Sequence, residues 1–178
     1  EGLVHKSIYC MCRDSDGFLW IGTSNGLSRF DGYQFKNFSH DNEKKSSIKG
    51  LSIYAIVEGR NSKIWLSTDA GLECFDKKTE SFDLIKIIEP KSYFDVNIDI
   101  DDSGNLWIYS YPLGFVVYNP SSKKVVAQYS LASMTSKTKD VNLNRFKIIK
   151  DQIVVSTSKG IYIYNIKYLS GKWFSSRL

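Results

Sequence analysis

The chain has 178 residues, 42% of them hydrophobic and 14% aromatic, enough for one sizeable core that needs neither disulfides nor a structural metal. Its 24 Lys and Arg against 19 Asp and Glu leave a net charge of +5, yet the basic residues are scattered among acidic ones, so nucleic acid is not an expected partner. No apolar stretch reaches the ~18 residues of a membrane helix, and the odd set Cys10, Cys12 and Cys74 reads as small buried hydrophobes rather than a disulfide frame or metal site.

Ile8 to Arg13 is rich enough in β-branched and aromatic residues for a first strand, and Asp14-Ser15-Asp16-Gly17 is a hairpin turn. Phe18 to Thr23 forms a second strand, Ser24-Asn25-Gly26 turns the chain, Leu27 to Phe30 returns, Asp31-Gly32 turns again, and Tyr33 to Phe38 makes a fourth strand. The pattern then recurs. Trp20, Trp65 and Trp107 stand 45 and 42 residues apart, and Val154 takes the same place 47 residues further on. Gly26, Gly71, Gly114 and Gly160 follow, each leading an apolar segment: Leu27 to Phe30, Leu72 to Phe75, Phe115 to Tyr118 and Ile161 to Tyr164. No helix is expected.

Four-stranded units every ~40–45 residues are the arithmetic of β-propeller blades. A β-sandwich also alternates short strands and turns, but gives no reason for Trp and Gly to recur at fixed offsets. The expected fold is therefore all-β: residues 1–178 form a single β-propeller segment of about four antiparallel blades, near 5–39, 51–85, 94–130 and 143–178. Each Trp is then a wedge between neighbouring sheets.

The run from Asp16 to Phe35, with the opening Gly2-Leu3-Val4-His5 and the segments Phe38 to Asp41 and Ser46 to Ile48, resembles the two-component regulator propeller repeat. That family occurs in the sensor regions of hybrid two-component systems of Bacteroides-type bacteria. The resemblance implies a periplasmic segment that follows a cleaved signal peptide. It further implies a glycan-derived oligosaccharide as input and a histidine kinase as output, joined through a membrane helix outside this segment. It also implies rings of more than four blades, so the end blades are expected to carry uncovered apolar faces that favour self-association. A non-binding scaffold is the alternative reading. Departures include Ser67 in place of a small glycine and the lost Trp of the fourth copy.

Asp14-x-Asp16-Gly17 and Asp101-Asp102-x-Gly104 have calcium-like spacing but lack a downstream acid, and read as turns. The first-strand face that carries Ile8, Cys10 and Cys12, then Ile53, Ala55 and Val57, carries Asp95, Asn97 and Asp99 in the third copy. Those side chains are expected to line a solvated channel, or to serve a polar ligand. On the side where loops gather, Tyr93 and Tyr111 offer aromatic faces for a sugar, Asn25, Asp69 and Lys159 mark polar turns, and Arg145, Lys44 and Lys45 add positive charge. No catalytic residue, metal ligand or cofactor site is expected.

Overall fold

The computed structural model describes residues 2–87, 97–110, 114–129, 143–158 and 160–168. Its strands form antiparallel meanders. The first sheet runs β1 (Ile8–Arg13), β2 (Leu19–Thr23), β3 (Gly26–Phe30) and β4 (Phe35–Phe38). The second is β5 (Ile53–Glu58), β6 (Lys63–Thr68), β7 (Gly71–Asp76) and β8 (Ser81–Ile85). The third is β9 (Asn97–Ile100), β10 (Leu106–Ser110), β11 (Gly114–Asn119) and β12 (Lys124–Tyr129). The fourth has three strands among the described residues, β13 (Leu143–Ile149), β14 (Gln152–Thr157) and β15 (Gly160–Asn165). Helix among the described residues is one short 3-10 turn at Ile166–Tyr168, so the all-β propeller expectation holds. The chain divides into two compact units, residues 1–96 and 97–178, each holding two blades.

Turn chemistry explains why the meanders close. Gly17 and Gly104 take φ of +92° and +85° in equivalent hairpins. There Asp14 N–H donates to Phe18 O, and Asp101 N–H to Asn105 O, each at 3.0 Å. The side chains complete the turn. Asp14 Oδ1 accepts from Asp16 and Phe18 N–H at 3.1 and 2.9 Å, and its Oδ2 accepts from the Trp20 indole N–H at 2.8 Å. Asp101 does the same for Asn105 N–H and the Trp107 indole, both at 2.9 Å. The carboxylate six residues before the Trp thus fixes turn and wedge together. In the second blade the turn falls on Asn61 and Ser62, both at positive φ, 57° and 60°.

In the first unit Trp20 lies between the sheets, stacked on Phe38 of its own blade and edge-on to Phe75 of the next, at centroid distances of 6.1 and 5.2 Å. Leu27, Ile56, Ile64, Leu66 and Phe82 complete this core, and Ile48 enters it from the β4–β5 connection. Gly22 is required here, because a Cβ would stand 2.9 Å from Ile53 of β5. At the same place in the second blade, the buried Ser67 hydroxyl finds no hydrogen-bond partner among the described residues. In the second unit Trp107 stacks on Tyr129 at 5.6 Å, and Phe115 meets Phe146 of the fourth sheet edge-on at 4.9 Å. Val154, the Trp replacement, lies on a face whose Ile161 and Ile163 are 73% and 62% exposed.

On the outward face of the first sheet Ile21 and Ser28 are buried. Val4 N–H donates to Ser28 Oγ at 3.1 Å, and Asn37 Nδ2 donates to Gly2 O at 3.0 Å, which lays residues 2–4 against that face.

Candidate functional site

Three first strands, β1, β5 and β13, carry a register anomaly in the same place, whereas that of the third sheet lies between β11 and β12. Pairing slips between Ile8 and Cys10 in β1, between Ile53 and Ala55 in β5, and between Leu143 and Arg145 in β13. The extra residues are Tyr9, Tyr54 and Asn144. A bulge leaves its extra residue outside the ladder and re-aims its side chain. In the first unit the consequence is an aromatic pair across two blades: the Tyr9 and Tyr54 rings stack at 5.9 Å with planes 20° apart. Tyr9 is 47% exposed, and Met11, two residues further along β1, is 63% exposed. Beneath them the blades are held together by Cys10 Sγ, which donates to Ile53 O at 3.4 Å.

The bulges lie at the end of the sheets where the β2–β3 and β6–β7 turns stand. Ser24 N–H donates to Ser7 O at 3.0 Å, Asp69 N–H to Ser52 O at 3.1 Å, and Gly26 N–H to Leu51 O at 2.7 Å. Gly26, at φ +115°, cannot carry a side chain, since a Cβ would meet Phe38 O at 2.5 Å. Asn25 and Asp69 are exposed at this end, and Asp69 Oδ1 accepts from Leu51 and Ser52 N–H at 2.8 and 3.2 Å. The approach to β5 is anchored from below by the fully buried Glu73. Its carboxylate accepts from Lys49 N–H at 2.9 Å, Gly50 N–H at 2.7 Å and Thr68 Oγ1 at 3.0 Å. Burial pushes the Glu73 carboxyl above its ordinary pKa, against these donors. The loop before it is similarly tied: His40 Nδ1 meets Ile48 O at 2.8 Å, and Ser47 Oγ donates to Asp41 O at 2.8 Å. Lys44 and Lys45 stay exposed on it.

Asn97, Asp99 and Arg145 come together, but not in a wet channel. Asn97 and Asp99 are buried between the third and fourth blades. Arg145 donates to Asn97 Oδ1, Lys147 Nζ meets Asp99 Oδ1 at 2.7 Å, and Ile148 N–H donates to Asp99 Oδ2 at 2.6 Å. Register shows the logic. Cys12, Val57, Asp99 and Lys147 are the cross-strand partners of Trp20, Trp65, Trp107 and Val154. Where the first two blades place apolar residues, the third places an acid and an amide, and the fourth supplies the matching cations. The expected solvated lining is corrected to a satisfied polar seam, because unpaired burial of Asp99 would be too costly.

A second polar cluster joins the first two blades. Lys77 Nζ lies 3.3 Å from Asp14, 2.5 Å from Asp16 and 2.8 Å from Glu58, while Glu58 also accepts from Ser15 N–H and Oγ at 2.8 and 2.7 Å. Burial acts to raise the Asp14 and Glu58 carboxyls, but the Trp20, Phe18 and Ser15 donors and the Lys77 ammonium outweigh it and hold both below their ordinary values. Burial likewise works against the Lys77 ammonium, and its three carboxylates overcome that and raise it. The calcium-like spacing of Asp14 and Asp16 is thus filled by a lysine.

Tyr93, Tyr111, Asp95 and Lys159 lie outside the described residues. The stacked pair Tyr9 and Tyr54 escaped the reading of the sequence, although each stands 11 residues before its Trp.

Residues 2–25 match the family model described as two component regulator propeller. A 48-residue stretch is 40% identical to histidine kinase P4 of Formosa agariphila, spanning 27% of this chain and 4% of that protein. The propeller as a whole is similar to the extracellular domain of the hybrid two component system BT3049 of B. thetaiotaomicron. The TM-score is 0.75 and the identity 23%, over 97% of this chain and 25% of that one. The corresponding domain of BT4673 of the same organism gives a TM-score of 0.58 at 16% identity, over 98% of this chain and 30% of that one. These likenesses establish the propeller fold; the chain spans a third or less of each of these proteins.

Proposed function

We propose that this propeller is part of the extracytoplasmic sensor of a hybrid two component signalling protein, on the periplasmic side of the membrane. In this reading it responds to glycan-derived oligosaccharides and is itself non-catalytic. The observation that carries the reading is the regulator propeller repeat at residues 2–25, supported by the fold it shares with extracellular domains of such systems. Binding would reach a kinase only through different affinities for two arrangements of the sensor, since a ligand that binds both equally shifts nothing. A second reading, a scaffold for self-association, draws on the exposed Ile161 and Ile163 of the fourth sheet.

Calorimetric titration of the chain with a panel of oligosaccharides, with chromatography of the sugars afterwards, separates these readings. Saturable heat with unchanged sugars is expected. New cleavage products would contradict the non-catalytic assignment. Absence of heat together with a concentration-dependent dimer by light scattering would favour the scaffold.

A further inference from the structure

We infer that the Tyr9–Tyr54 pair is a stacking platform for one pyranose ring of a neutral oligosaccharide. The inference rests on the sensor reading and names its contact site. The pair combines features that a packing role does not require. Both tyrosines are the extra residues of β-bulges at the same point of consecutive first strands, so the backbone, rather than a neighbouring side chain, sets their aim. Their rings lie within 20° of parallel at 5.9 Å across a blade boundary, while Tyr9 remains 47% exposed. Fully packed wedges in this fold differ in exposure: Trp20 and Phe75 are completely buried, and the stacked Trp107 and Tyr129 are 3% and 5% exposed.

A pyranose presents an apolar C–H face and a rim of hydroxyls. An exposed aromatic surface suits the face, and hydrogen-bonding groups beside it suit the rim, directly or through water. Both are supplied at this end of the blades. Register places Ile8, next to Tyr9, opposite Thr23, and Ile53, next to Tyr54, opposite Thr68. The turns that carry Asn25 and Asp69 therefore begin within a few residues of each ring. Glu73, Asp69 and Ser7 pin the strand approaches through backbone N–H and C=O groups, so little ordering remains to be done on binding. The exposed carboxylate of Asp69 favours a neutral sugar over a uronate at this end.

The test uses the 178-residue chain, ring-labelled at tyrosine, titrated to about 10 mM with cellohexaose, maltohexaose, mannohexaose and hexagalacturonate. Calorimetry follows on the Tyr9→Ala/Tyr54→Ala and Tyr9→Phe/Tyr54→Phe variants. Thermal melts check that each variant folds. At least one neutral hexasaccharide is expected to shift the Tyr9 and Tyr54 ring signals. Its affinity should fall about tenfold or more in the alanine pair and stay within about threefold in the phenylalanine pair, which keeps the rings. Unchanged affinity in the alanine pair would overturn the platform while leaving the sensor reading in place, because the sugar would then bind elsewhere. Shifts by hexagalacturonate alone, or by no sugar, would also overturn it. So would an alanine pair that alters only the oligomeric mass, which would make the patch a protein contact.

Discussion

Replacing Lys77 by Met removes one ammonium from among three carboxylates and keeps most of the side-chain volume. The Lys77 side chain is 10% exposed and that of Asp14 fully buried, whereas Glu58 is a quarter exposed and Asp16 more than half. The Asp16 contact is therefore worth little, as exposed pairs are. Breaking a buried pair costs about 3–5 kcal/mol, and Asp14 softens this because its oxygens keep the Asp16, Phe18 and Trp20 donors. A loss of about 2–4 kcal/mol is expected, or roughly 5–15 °C in Tm at this chain length. The pH dependence follows from sign. Asp14 and Glu58 have lowered folded pKa values, so the stability they confer is present above the ordinary carboxylate value near 4 and lost as pH falls through the depressed ones. Protonated carboxyls no longer need the ammonium, so the gap between wild type and variant should narrow from pH 7 to about pH 3. The three acids also have ligand atoms within 4.8 Å of one another, so millimolar Ca²⁺ should raise the Tm of Lys77→Met and not of wild type. Urea melts across this pH range, with and without Ca²⁺, measure all three. A difference below about 0.5 kcal/mol at pH 7, or one that does not change with pH, would refute the reasoning.

Other residues give independent checks. Glu73→Gln puts an amide N–H₂ where an acceptor stood, so the Lys49 and Gly50 amides should exchange hydrogen about tenfold faster at a cost of about 1–2 kcal/mol; unchanged exchange would remove Glu73 as the anchor. Ser62→Gly relieves a left-handed backbone and should stabilise by about 0.5–1 kcal/mol in urea melts. Trp107→Ala should cost about 3–5 kcal/mol, and Val154→Ala under about 1 kcal/mol, because only the former sits in a packed interface. Similar costs at both positions would contradict the wedge role.

Much of the fold was legible because its signals are local and repeated. The Asp-Gly turns, the post-turn glycines and the spacing of Trp20, Trp65 and Trp107 fix strand, turn and sheet period without any long-range information. The polar first strand of the third blade was also visible, as Asn97 and Asp99. Its partners were not, because Arg145 and Lys147 lie 48 residues away from them and match them only once register is known. Lys77 was hidden for the same reason, 63 and 61 residues from Asp14 and Asp16. The tyrosine pair failed for a different reason. A bulge adds one residue to a strand, so the alternation that sorts side chains between faces misassigns Tyr9 and Tyr54.

The proposal that this propeller senses a ligand for a kinase is tested most directly in the complete signalling protein of which we propose it is a part. Reconstituted in vesicles, that protein should change its autophosphorylation rate when a saccharide that binds the propeller is added on the propeller side, and the change should disappear in Tyr9→Ala/Tyr54→Ala. A rate that stays constant while calorimetry shows the saccharide bound would contradict it.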